Sequence, residues 1–193
     1  MNRKKIQLIV FWIFTVIFFE CIYKMTIFKN IIDGDFIQML FFCIPSSLLI
    51  YLFTTLFSEK LNRRISTIIL LLMFFIFFAQ MVYFKVYNGV FSIYSMFNGA
   101  QVFGFLNSII RVITENIIPI LILLIPIISL LFGINKFTLE RKSKKYYIIT
   151  FTSLLLSYIL PILLINLSKD TKTYSTYNLY YNTYVPKLIT KDF

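Results

Sequence analysis

Five runs of about 20 mostly apolar residues, each flanked by lysine or arginine, constrain this 193-residue chain more than any other feature. Wound as a helix that rises about 1.5 Å per residue, such a run crosses the roughly 30 Å of bilayer hydrocarbon. The runs cover about residues 6–23, 36–57, 65–84, 112–133 and 146–167. With 59% hydrophobic and 14% charged residues and a mean hydropathy of +0.83, the chain is too apolar to hide its side chains in one soluble core. The expected fold is an all-α integral membrane protein. Its five transmembrane helices form one domain over 1–167, with an outward-facing amphipathic interfacial helix between the third and fourth and a juxtamembrane tail over 168–193.

The net charge of +11 comes from 19 Lys and Arg against 8 Asp and Glu. No soluble basic domain remains to bind nucleic acid, and basic residues beside apolar runs instead set membrane orientation. Arg3, Lys4 and Lys5, then Lys60, Arg63 and Arg64, then Lys136, Arg141, Lys142, Lys144 and Lys145 crowd short segments on one side. Lys24, Lys29, Lys85, Arg111 and the tail lysines fall more sparsely on the other. The denser side is expected to be cytoplasmic, which makes this a multi-pass cell-membrane protein with a cytoplasmic N-terminus and an extracytoplasmic C-terminus. The first run has the charge pattern of a signal peptide, yet Phe18-Phe19-Glu20-Cys21 lacks the small residues of a cleavage site, so an uncleaved span is expected.

Proline interrupts three runs: Pro45, followed by Ser46 and Ser47; Pro119 and Pro126; and Pro161. Kinks are expected there, with serines or neighbouring helices answering the freed carbonyls. Broken helices of a transporter are the alternative, although no pair of similarly interrupted halves is present. Cys21 and Cys43 sit at different depths and read as free buried thiols. Histidine is absent, which leaves oxygen or cysteine for any metal and a carboxylate, Lys or Tyr for any base; no cofactor is expected.

Between the third and fourth runs, Ser92, Ser95 and Asn98 recur every three positions, and Phe91, Tyr94 and Phe97 repeat one position earlier. On a helix these make adjacent wet and greasy stripes, so residues 88–110 are expected to lie in the plane of the membrane surface. Lys85 and Arg111 flank the segment, and Glu115 stands one turn beyond Arg111 at the start of the fourth run. Tyr83, Lys85, Ser92, Ser95, Arg111 and Glu115 are therefore the candidates for holding an anionic lipid headgroup through charge-assisted hydrogen bonds. Plainer readings are snorkelling for the cations, a solvated helix face for the serines, and an i,i+4 ion pair for Arg111 and Glu115. Glu20 and Lys24 share that spacing. In the tail, Tyr177, Tyr181 and Tyr184 suit an outer-surface path that Pro186 ends.

The run MVYFKVYNGVFSIYSMFNGAQV resembles the membrane module of the lipoteichoic acid synthase and sulfatase-like phosphotransferase family. Tyr83, Phe84 and Lys85 match that family's Tyr-(Phe/Tyr)-(Arg/Lys) at the outer end of the third span, and Ser92 and Ser95 match its spaced interfacial serines. The tail NLYYNTYVPKLITKDF is similar to the segment that leads into the family's extracellular catalytic domain, whereas Ala79 and Gln80 stand where many members carry an Asn. The resemblance implies a membrane module that serves glycerol phosphate transfer from phosphatidylglycerol. It also implies that the threonine nucleophile and the histidine-containing metal site belong to a catalytic domain that this histidine-free chain lacks. The expected function is thus anchoring and headgroup binding at the outer face, without catalysis of its own, with membrane lipids such as phosphatidylglycerol and a separately encoded catalytic domain as partners. A small transporter or channel subunit, or a membrane assembly partner of a separate enzyme, is the alternative.

Overall fold

A computed structural model describes residues 7–29, 32, 36–89, 104–133, 137 and 139–168, and the side chains of these up to 163. Seven helices account for their regular structure: α1 (Leu8–Phe28), α2 (Phe36–Phe53), α3 (Glu59–Tyr87), α4 (Leu106–Glu115), α5 (Ile117–Ile122), α6 (Ile125–Gly133) and α7 (Lys144–Ser168). None of the described residues forms a strand. By length and composition α1, α2, α3 and α7 can each cross a membrane, and α4 with α5 and α6 makes a bent unit that would be the fifth crossing.

The polarity of the bundle is inverted relative to a soluble protein. Phe14 is 70% exposed and Phe132 is 85% exposed, while Thr15, Ser47, Thr54, Thr55, Asn62, Ser66 and Gln80 are buried. In water that outer surface would aggregate; in lipid it is the favourable arrangement, because polar side chains find partners only between helices. Interior packing rests on large side chains at helical spacing. Leu8, Trp12 and Phe19 of α1 meet Tyr51, Leu70, Leu123 and Leu130 in one cluster, and Val16 meets Met39 and Cys43 in another. Cys21 and Cys43 are both free thiols.

Helix limits follow from local chemistry. α7 begins and ends within two residues of the expected fifth run. α1 continues past Tyr23 to Phe28, so Lys24 lies in the helix rather than in the connecting turn, and Lys29 closes it in the left-handed region at φ 56°. α3 starts at Glu59, which places Lys60, Arg63 and Arg64 in its first two turns instead of in a link. Its 29 residues span about 44 Å, more than the roughly 30 Å of bilayer hydrocarbon needs. α2 stops at Phe53 where Thr54 and Thr55 turn their hydroxyls back onto the Ile50 and Tyr51 carbonyls at 3.0 and 2.9 Å, a side-chain bond that competes with helix continuation.

The fourth run is segmented, and proline explains where. A proline ring clashes with the carbonyl four residues earlier and removes its hydrogen bond. Four before Pro119 is Glu115, the last residue of α4; four before Pro126 is Ile122, the last residue of α5. The result is a 72° bend between α4 and the α5–α6 unit. Pro45 and Pro161 remain inside continuous helices. Beside Pro45, Ser46 donates to the Phe42 carbonyl at 2.9 Å and Ser47 to the Cys43 carbonyl at 2.6 Å, the carbonyls just after the one Pro45 frees.

Polar contacts tie one end of the bundle together. Trp12 Nε1 donates to Thr54 Oγ1 at 3.1 Å, and the Tyr51 and Tyr146 hydroxyls meet at 3.1 Å. Tyr147 donates to the Thr55 carbonyl and accepts the Lys142 backbone N–H. Asn62, fully buried, accepts from the Phe57 N–H and donates to the Phe57 and Leu139 carbonyls. Phe137 folds onto Phe11 with ring centroids 4.9 Å apart and sits against Gly133, where an added Cβ would meet its ring at 3.3 Å. This basic end carries Arg63, Arg64 and the Arg141–Lys145 segment; the opposite, hinge end carries α4.

Candidate functional site

α4 owes its position to its pattern. Leu106, Ile109, Ile110 and Ile113 fall at i, i+3, i+4 and i+7, while Asn107, Ser108, Arg111, Thr114 and Glu115 occupy the other side. Ile113 packs against the cluster of Tyr23, Met81 and Ile120, while Leu106 and Ile110 keep their apolar surface exposed. At its start, Phe105 meets the Tyr87 ring at 5.3 Å, and Tyr87 in turn lies 4.6 Å from Tyr83. An aromatic step thus fastens α4 to the end of α3. Asn88 closes α3 with φ 53°, a left-handed conformation that asparagine tolerates.

The charged pair on α4 forms at the expected spacing. Arg111 Nε donates to Glu115 Oε1 at 2.7 Å, with the two side chains 79% and 55% exposed. The hydrogen bond and the charge of Glu115 hold the Arg111 guanidinium above its ordinary range, so it stays cationic. Glu115 is the last residue of α4, and α5 opens two residues later at Ile117 with Asn116 as its N-cap. Asn116 at the bend turns its amide back to the Val112 carbonyl at 2.8 Å and leaves the start of α5 without a side-chain cap.

Of the six candidates, Arg111 and Glu115 are brought together and Tyr83 supports α4 through Tyr87. Lys85 is half-buried in the last turn of α3, where a cation suits the helix dipole, and its position two residues from Tyr83 puts it on the other side of that helix. Ser92, Ser95 and most of the 88–110 segment lie outside the described residues, as does the tail beyond 168. From Leu106 on, the described part of that segment is an amphipathic helix, and it continues to Glu115, so it takes in residues that composition alone assigned to the fourth span.

Beneath the hinge lies a polar group that the sequence reading missed. Tyr23, Lys24 and Gln80 are each more than nine-tenths buried. Tyr23 packs on Met81 and Ile120 and sets its ring edge-on to Phe77 at 6.2 Å. Neither the Tyr23 hydroxyl nor the Gln80 Nε2 completes a hydrogen bond of ordinary geometry. The signal was present in the sequence, since Met25, Ile27 and Phe28 carry the apolar pattern of α1 past Lys24.

A lateral groove of about 370 Å³ between α1 and α6 is walled by Phe11, Phe14, Phe18, Ile125 and Pro126, with Thr15 and Ser129 as its polar contributors. It is a greasy cleft facing the bundle's flank. Comparison with protein-family models, with curated proteins and with solved structures gives no match to this chain.

Proposed function

We propose that this chain is a membrane-embedded module that engages the anionic headgroup of a lipid at its hinge end. The observation that carries the reading is the 72° turn of α4 away from α5–α6. If α5–α6 stands near the membrane normal, α4 lies close to the membrane plane, with Leu106 and Ile110 toward the acyl boundary and Arg111 at headgroup level. A phosphate there would compete with Glu115 for the guanidinium, a planar donor suited to bidentate anion binding. The charge asymmetry supports an extracytoplasmic hinge end and a cytoplasmic basic end.

In this reading the chain anchors and binds, and any chemistry belongs to a separately encoded partner. The Tyr83-Phe84-Lys85 segment makes the membrane half of a lipoteichoic-acid-synthase-like protein the family proposal, with phosphatidylglycerol as the lipid. The transporter alternative needs a polar path at mid-depth, and the α1–α6 groove is lined by phenylalanine and isoleucine instead.

The test is site-resolved photocrosslinking in bilayers that contain a photoactivatable phosphatidylglycerol. Label is expected in the peptide that spans α4, with much less from the phosphatidylcholine analogue and a severalfold loss in Arg111→Gln. Equal labelling by both lipids, or labelling indifferent to Arg111, would overturn the proposal.

A further inference from the structure

The basic end holds a second feature that the proposed function does not use. A cavity of about 370 Å³ opens on the flank of α3, lined by Arg63, Arg64, Thr67 and Ile68. Its two cations differ in state. Arg63 is held by Glu59 one turn earlier, Nη2 to Oε1 at 2.8 Å, which fixes its position and offsets its charge. Arg64 is exposed on the next position round the helix. Thr67 spends its hydroxyl proton on the Arg63 carbonyl at 3.1 Å, which leaves its oxygen lone pairs rather than a donor toward the cavity. The anion-binding capacity of the cavity therefore centres on Arg64.

The surface continuing from the cavity is apolar and follows the same face of α3. Ile68, Leu72, Phe75 and Ile76 are all more than half exposed, and with Leu71 they repeat at three- and four-residue spacing from Arg64. From Arg64 to Ile76 the helix rises about 18 Å, close to the ~15 Å thickness of one leaflet's hydrocarbon. A soluble phosphate would use only the mouth of this feature. A molecule with a phosphate at one end and a hydrocarbon chain about a leaflet long would use all of it.

From this juxtaposition we propose that the Arg64 cavity and the Ile68–Ile76 stripe form a binding site for an anionic glycerophospholipid of the leaflet that meets the basic end. The phosphodiester sits against Arg64, with Arg63 as a pre-positioned second cation, and an acyl chain lies along the stripe. Nothing in this depends on the function proposed for the hinge end, which lies at the other end of the same helix.

Photoactivatable phosphatidylglycerol and phosphatidylcholine analogues, each in otherwise phosphatidylcholine nanodiscs, test it through the crosslinked peptides. Phosphatidylglycerol is expected to label residues 64–76 in preference to phosphatidylcholine, and Arg64→Gln should lower that labelling about tenfold, the scale of one lost charge-assisted contact. Unchanged emission from Trp12, which is buried near the same end, reports that the variant has folded. Excess inorganic phosphate should leave the label in place; its complete displacement would mean a free-anion site and overturn the lipid assignment. Equal labelling by the two lipids, or labelling unaffected by Arg64→Gln, would overturn the proposal outright. The α4 peptide in the same digest reports on the hinge end separately, so failure at one end is not read as failure at the other.

Discussion

Asn62 ties the turn between α2 and α3 to the connection between α6 and α7, and its removal should show this. The side chain is fully buried and makes three hydrogen bonds, at 3.0 and 2.8 Å to the backbone of Phe57 and at 2.8 Å to the carbonyl of Leu139. Alanine at this position breaks all three. Phe57 is 45% exposed, so water can re-satisfy its backbone at the membrane edge, whereas Leu139 is 1% exposed and its carbonyl is left without a partner. Interhelical hydrogen bonds in membranes contribute about 0.6 kcal/mol on average and up to about 1.7, and an orphaned buried acceptor costs about 1–3 kcal/mol. Asn62→Ala should therefore destabilise by about 2 kcal/mol, near a thirtyfold change in the folded-to-unfolded ratio. Steric trapping in bicelles, or equilibrium unfolding in mixed micelles, measures this directly. Asn62→Leu restores volume without the bonds and should fall as far. A loss below about 0.5 kcal/mol in both variants would refute the reasoning that these bonds hold the α2–α3 turn to the α6–α7 connection.

Two further outcomes follow from the same geometry. Pro119→Ala returns an N–H that can reach the Glu115 carbonyl, so α4 should continue into α5; the 72° bend should shrink, read as a changed spin-label distance between positions 107 and 72, and headgroup labelling of α4 should fall although Arg111 is untouched. Tyr147→Phe removes the bridge between the Lys142 N–H and the Thr55 carbonyl, which should cost about 1–2 kcal/mol and speed amide exchange at Lys142 while leaving α4 unaffected.

How much of this was legible in the sequence depends on what each residue competes with. α1, α2 and α7 are apolar on every side, so length and composition alone locate them to within a few residues. Proline was harder to read because identical residues act differently. Pro45 is carried through by helices packed around α2 and by Ser46 and Ser47, whereas Pro119 follows an amphipathic segment whose polar side has no place in hydrocarbon, so the chain bends there. The same competition sets where the amphipathic helix ends: Val112 and Ile113 look like the start of a span until Arg111, Thr114 and Glu115 are placed on one side of a helix. Asn62 was hidden among Lys60, Arg63 and Arg64, although its four-residue spacing to Ser66 and Leu70 marked it as facing inward. Pairings between helices, such as Trp12 with Thr54 and Tyr51 with Tyr146, depend on three-dimensional register and leave no trace in local pattern.

The proposed function requires α4 to lie as an amphipathic helix at the extracytoplasmic surface. In a background with Cys21 and Cys43 replaced by alanine, Ser108→Cys on the polar side of α4 should react with a membrane-impermeant maleimide in intact cells. Ser58→Cys, exposed at the basic end, should react only after permeabilisation. Labelling of position 58 in intact cells with protection of position 108 would invert the orientation, and protection of 108 under both conditions would remove α4 from the surface altogether.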